Sequence, residues 1–219
     1  MLNSIISGLQ DRDEYSFIDL LMIHLLTFCP NDEIRYDAAE LLCSDPSLWK
    51  ELTLLRMTFD PNEMVRLNAI DSLSIGRTKL ACRRLIKISH SQDELIRGYC
   101  LMSLIDILNN RNNKKEKRIY FRYIIKRLNK EKSDKVRLMV NSSLFTSGIK
   151  SRMTDLVKVI EKQIDTGLKD YWLIMNVIDD ICEKNNRNEL KQLVRKIHSK
   201  ISDESRINRW KETEARLIN

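Results

Sequence analysis

Side chains able to do acid–base, nucleophilic or metal chemistry are few in this sequence and far apart. The three histidines, His24, His90 and His198, form no H-x-x-x-H or H-E-x-x-H pair, the spacing that sets two imidazoles on one helix face. His24 lies in an apolar helical stretch, which predicts a packed, neutral imidazole. The five cysteines, Cys29, Cys43, Cys82, Cys100 and Cys182, are odd in number and contain no C-x-x-C. Cys82 and Cys100 fall in apolar helical patterns, as buried free thiols do, and such usage predicts a reducing cytoplasm. No local signature joins a cysteine to a histidine as nucleophile and base, and glycine-rich phosphate loops are absent. One cluster sets aromatics near carboxylates: Asp170, Tyr171 and Trp172 with Asp179 and Asp180. The expectation is no catalytic residue, no metal, no cofactor and no small-molecule substrate.

Positioning falls to helices. Only 5 Gly and 3 Pro in 219 residues are too few for the tight turns of a β-rich fold. The mixture of 42% hydrophobic and 32% charged residues suits long helices with one buried stripe. The apolar stretch from Phe17 to Phe28 carries Asp19 and His24 and lacks a basic flank, so neither a membrane span nor a secretory signal is expected.

Self-comparison shows a repeat. Pro30-Asn31-Asp32-Glu33-Ile34-Arg35 and Pro61-Asn62-Glu63-Met64-Val65-Arg66 align without gaps at an offset of 31. A further 31 residues reach Asp93-Glu94-Leu95-Ile96-Arg97. A fourth copy, Ser133-Asp134-Lys135-Val136-Arg137, follows at an offset of 40, with the polar insertion Asn109–Lys115 between them. Pro with Asn, Asp or Ser ends one helix and caps the next, and first-turn acids suit the helix dipole. Ile34, Val65, Ile96 and Val136 begin a buried stripe. Small residues follow at Ala38, Ala69, Cys100 and Val140, and Leu42, Leu73, Leu104 and Leu144 complete it. First helices are predicted near 15–28, 46–58, 77–89, 116–130, 151–165 and 187–200. Second helices are predicted near 31–44, 62–74, 93–109, 133–147, 168–183 and 204–217, with Gly76, Gly148 and Gly167 as punctuation.

Asp60-Pro61-Asn62-Glu63-Met64-Val65-Arg66, followed by Ala69 and Leu73, resembles the second helix of short HEAT repeats of the phycobilisome-lyase type. The resemblance spans residues 30–145 and thins over 150–219. It implies an all-α fold: a right-handed α-solenoid of about six antiparallel helix pairs forming one domain over 1–219. It also implies that Arg35, Arg66, Arg97 and Arg137 form an inter-repeat ladder with turn groups such as Asp60, Asp93 and Asp134. Second helices would line the concave face. The chain also resembles HEAT-like alkylpurine DNA glycosylases in size, helical repeats and charge. Those enzymes grip a lesion with tryptophans and a carboxylate, but Leu173, Ile174 and Met175 follow Trp172 here, with no carboxylate before Asp179. Trp172 therefore reads as a core or interface aromatic, and Trp49 and Trp210 as packing residues. Repeat type alone assigns no activity.

Two surfaces could bind. The concave positions run from acidic, Asp37, Glu40, Asn68 and Asp71, to Tyr99 and Met102, then Met139 and Ser142. An acidic end repels phosphate, whereas a Tyr/Met end suits an apolar protein anchor. The second surface is basic. The net charge of +7 divides unevenly: residues 1–75 carry five Lys/Arg against thirteen acids, about −8, leaving about +15 for the rest. Arg77, Lys79, Arg83, Arg84 and Lys87 share one first helix. Arg118 and Arg122 interleave with Tyr120, Phe121 and Tyr123 in another, a pattern that can track a nucleic-acid backbone or simply keep a convex helix solvated. The sequence thus predicts a cytoplasmic, non-enzymatic HEAT-repeat scaffold or adaptor that holds a protein partner and no membrane. Neutralisation of a basic toxin or nuclease is a narrower form of it. The alternative is nucleic-acid binding, with or without base excision. The abundance of Asn, Lys and Ile suits an AT-rich bacterial genome.

Overall fold

The computed structural model describes residues 2–12, 14–44, 47–183 and 186–218. All regular structure among them is helical. The order is α1 (Leu2–Gln10), α2 (Phe17–Leu26), α3 (Asp32–Leu41), α4 (Leu48–Met57), α5 (Glu63–Ser72), α6 (Lys79–Ile88), α7 (Glu94–Asn109) and α8 (Lys114–Leu128). There follow α9 (Asp134–Thr146), α10 (Arg152–Asp165), α11 (Tyr171–Ile181), α12 (Arg187–His198) and α13 (Glu204–Ile218). Twelve of these fall where apolar period and punctuation place them, although the expected helix start at 46 lies outside the described residues. The first was not expected. With only nine residues it shows little more than Ile6 and Leu9, which it buries against α3.

Capping explains the regularity. Ser16, Ser47 and Thr78, spaced by 31, accept backbone N–H bonds at the starts of α2, α4 and α6. Asn31, Asn62 and Asp93, also spaced by 31, do the same for α3, α5 and α7, and Ser133 for α9. Each cap satisfies N–H groups that the first helical turn leaves without partners. Gly148 and Gly167 have φ of 94° and 99° at the ends of α9 and α10. There the following N–H groups return to Leu144 O and Gln163 O, the closing bonds of left-handed helix ends.

The chain divides into two compact units, Met1–Ile124 and Ile125–Asn219, with the boundary inside α8. In the first unit α3, α5 and α7 pack successively as one layer. The other layer is α2, α4 and α6, each against its own follower, and α4 also touches α6. Fully buried Ala38, Ala69 and Cys100 stand at the close approaches, and Leu42, Leu73 and Leu104 complete the core. The second unit packs α9 against α10 and α11, and α13 against α11 and α12. Its core runs from Leu138 through Tyr171 and Ile178 to Leu217. No helix among the described residues is long and apolar enough to cross a membrane.

Candidate functional site

The repeated arginines of the α3–α5–α7 layer act mainly as clamps on the preceding turn. Nη1 of Arg35 donates to the carbonyls of Cys29 and Pro30, that of Arg66 to Asp60 and Pro61, and that of Arg97 to Ser91 and Gln92. Each therefore satisfies carbonyls five and six residues back, where the chain turns between helices and cannot satisfy them itself. Arg35 also pairs with Asp60 through two parallel bonds of 2.8 and 2.9 Å. Asp93 spends an oxygen capping Ile96 N, and Arg137 stands 3.7 Å from Asp134 in its own first turn.

The same layer carries the acidic face. Asp37 lines a cleft of about 460 Å³ with Asp32, Glu33, Tyr36, Asn62 and Met64. Glu40 and Asp71 are exposed, while Tyr99 and Met102 are half-buried. Asn68 is committed to structure, its amide donating to Tyr36 O at 2.9 Å. Met139 and Ser142 are buried rather than exposed, because α11 packs over α9.

Two residues missed in the sequence complete this face, Tyr36 and Asp106. The carboxyls of Asp71 and Asp106 both titrate above the usual range. The cause for each is protein mass that strips water from the charge, and for Asp106 the Asp71 carboxylate adds to it. The phenol of Tyr99 is also pushed up, by burial, then by Asp71 and Tyr36. No ion pair or hydrogen bond among the described residues neutralises either aspartate.

A carboxyl raised on folding binds protons more tightly in the native state. Its contribution favours folding below the unfolded pKa and is lost as pH rises through the folded one. At neutral pH the pair is therefore a strain on the fold. Asp71→Asn with Asp106→Asn is expected to stabilise the chain at pH 7 by less than about 1 kcal/mol, seen as a small rise in Tm, because Asp71 reaches solvent. Scanning calorimetry checks this, and a lower Tm than wild type would contradict the repulsion.

In the α2–α4–α6 layer, Thr27-Phe28, Thr58-Phe59 and Ser89-His90 recur at 31 residues, and each is met by a side chain from the next outer helix. Arg56 lies over the Phe28 ring at 3.9 Å and donates to Thr27. Arg84 lies over Phe59 at 3.5 Å and donates to Thr58 Oγ1 and O. The Tyr123 hydroxyl meets Ser89 and His90. Arg84 is thereby taken out of the basic patch and into structure. Arg77 is exposed, with its carbonyl accepting from Arg111. Arg83 and Lys87 follow Lys79 at helical spacing on exposed positions of α6, and Arg118 and Arg122 are exposed on α8. Lys79, Arg83 and Lys115 border a groove of about 330 Å³ with Tyr120 and Glu116, whose carboxylate is held by Arg111 at 3.0 Å.

The candidate chemical groups stay dispersed. His24 packs between Phe28 and Trp49, with Nδ1 3.1 Å from Thr53 Oγ1, and burial followed by Arg56 draws its pKa down. His198 stacks on Trp210, whose Nε1 donates to Val194 O. Burial pushes the Cys100 thiol up to about 12, leaving it protonated. No cluster of three His, Cys, Asp or Glu suited to a metal occurs among the described residues. In the second unit Trp172 is half exposed, outside the core, edge-on to Tyr171 at 5.3 Å. Asp179 is held by Arg209 at 2.7 Å and Arg216 at 2.6 Å.

No protein-family model matches the chain, and no curated protein matches it in sequence. Among solved structures, the crystal structure of an engineered protein is similar over 91% of this chain and 98% of that one, with 12% identity and a TM-score of 0.43.

Proposed function

We propose that this chain is a cytoplasmic HEAT-type repeat protein, a right-handed stack of about six helix pairs, that holds a protein partner on its α3–α5–α7 face without catalysis. The repeat reading is supported by the 31-residue columns of paired caps and by the arginine clamps of Arg35, Arg66 and Arg97. The binding reading is carried by one observation. Exposed Asp71 and half-buried Asp106 stand within electrostatic reach of each other and of Tyr99 beside Tyr36, and among the described residues no cation pairs with either aspartate.

A lysine or arginine of a partner supplies the missing charge, and the phenol rings offer it faces and apolar contact. Asp37 and Glu40 extend the negative field toward the cleft beside α3, steering a basic segment before it docks. Inhibition of a basic toxin or nuclease is the narrower form of this function.

The test is affinity capture from native lysate with wild type, Asp71→Lys and Asp106→Lys. At least one protein recovered by wild type at low salt should disappear from both variants. Identical recovery by all three removes this face from the account.

A further inference from the structure

The α2–α4–α6 layer of the first unit is unused by that function, and its composition is one-sided. At the 31-residue spacing its outward positions form columns: Phe17, Leu48 and Lys79 in one, Leu21, Leu52 and Arg83 in another. Ile18, Trp49 and Leu80 make a third. All nine residues are exposed, with Phe17 at 80% and Ile18 at 70%. The surface thus passes from apolar on α2 and α4 to cationic on α6. Among the described residues, the three helices themselves carry two carboxylates, and neither is free. Asp19 is buried in the capping box with Ser16, and Glu51 is buried against the N–H groups of Arg77 and Thr78.

We propose that this layer docks on an anionic phospholipid bilayer. The apolar columns enter the interfacial zone, and Lys79, Arg83 and Lys87 meet lipid phosphates. Charge complementarity selects the partner, which must be apolar and anionic together. A second copy of this face would leave Lys79, Arg83 and Lys87 without a counter-charge, since Asp19 and Glu51 are both buried. A nucleic acid would satisfy the cations and leave the apolar columns in water. Side chains as exposed as Phe17 and Ile18 stand out from the face, and a fluid bilayer accepts such apolar side chains without fitted shape. Phenylalanine and tryptophan also favour the lipid–water interface. With the acidic face on the other layer, an anionic membrane would orient the unit with that face toward solvent. Attachment to a surface needs no spanning helix, so the expectation of no membrane partner, drawn from the search for spans, does not bear on it.

Co-sedimentation of the full chain with vesicles tests this, using phosphatidylcholine alone and phosphatidylcholine mixed two to one with phosphatidylserine. Wild type should pellet with the mixed vesicles and far less with the neutral ones. Phe17→Ser with Ile18→Ser should cut the bound fraction by about tenfold, and Lys79→Glu with Arg83→Glu should abolish the preference for phosphatidylserine. Because all four side chains are exposed, unchanged circular dichroism and Tm should accompany these losses. Wild type that stays in the supernatant with both vesicle types overturns the proposal. So does binding that both double variants retain, or binding to an oligonucleotide or a poly-glutamate peptide in its place.

Discussion

Asp60→Ala is expected to destabilise the chain by about 3 kcal/mol, at the low end for breaking a buried ion pair, because both partners keep slight contact with water. Asp60 serves three neighbours. Its carboxylate takes both parallel donors of Arg35 and the backbone N–H of Asn62 at 2.9 Å, and its carbonyl accepts from Arg66. The side chains of Arg35 and Asp60 are only 12% and 6% exposed, so removing the carboxylate strands a guanidinium between two repeats.

The conservative Asp60→Asn keeps an acceptor for Asn62 N and should cost less. In a double-mutant cycle the two substitutions should cost less together than the sum of each alone, although Arg35→Ala still loses the bonds to Cys29 and Pro30 once Asp60 is gone. The pH dependence has a definite sign. Burial alone would raise this carboxyl, but the bonds from Arg35 and Asn62 outweigh it and hold it below the usual carboxylate range. Its stabilisation is therefore complete above the unfolded value of about 3.9 and fades as pH falls through the lower folded value. Urea unfolding of wild type and Asp60→Ala at stepped pH should show the gap between them closing in acid. A gap that stays constant to low pH would mean that the charge on Asp60 does nothing.

The repeat was legible because its columns are written in residues with one mechanical use. Asn31 and Asn62 must cap, Ala38 and Ala69 must be small, and Leu42 and Leu73 must be buried, so periodicity and burial coincide. The face proposed for binding was legible only in part. Asp106 escaped because α3 and α5 tighten into short 310 turns at Leu42–Ser44 and Leu73–Ile75, whereas α7 runs on to Asn109. That extra length carries a carboxylate to within electrostatic reach of Asp71, one turn past the column that ends at Met102.

Arg84 was misplaced for a different reason. Its sequence neighbours Arg83 and Lys87 make it look like part of a charge run, and only the approach of Thr58 and Phe59 from the preceding repeat shows it stacked and bonded. The stretch from Phe17 to Phe28 shows a different gap. The sequence assigns its apolar residues to no face, and five of them, Phe17, Ile18, Leu21, Leu25 and Phe28, point outward because Ile23 and Leu26 already fill the inner stripe of α2. Period locates a helix and its stripe, while the outer edge of an apolar helix declares itself only when its neighbours are in place.

Asp179→Ala is expected to cost the second unit about 3 kcal/mol, and the same substitution separates two roles for the cluster around Trp172. The Asp179 carboxylate is 7% exposed and ties α11 to α13 by accepting from Arg209 and Arg216 on one oxygen. Arg209 is itself 15% exposed and also donates to Asn176. Alanine at 179 leaves this half-buried guanidinium with a neutral amide and the surface carboxylate of Glu212, 3.4 Å away. Hydrogen exchange should report lost protection in α11 and α13. Arg209→Ala should cost a comparable amount, and the double variant less than the sum.

A carboxylate poised to act on a bound nucleotide would behave otherwise. Its removal would spare stability and abolish a reaction, since a group held by two guanidiniums has its charge already spent. Asp180 is the control. It is exposed, its carboxyl is pushed up by burial and then by Asp179, and Asp180→Asn should leave stability within about 0.5 kcal/mol of wild type. In Asp179→Ala the Asp180 carboxyl should titrate lower by NMR, because one of the two influences raising it has been removed. If Asp179→Ala melts like wild type while Asp180→Asn collapses, the tie between α11 and α13 has been assigned to the wrong aspartate.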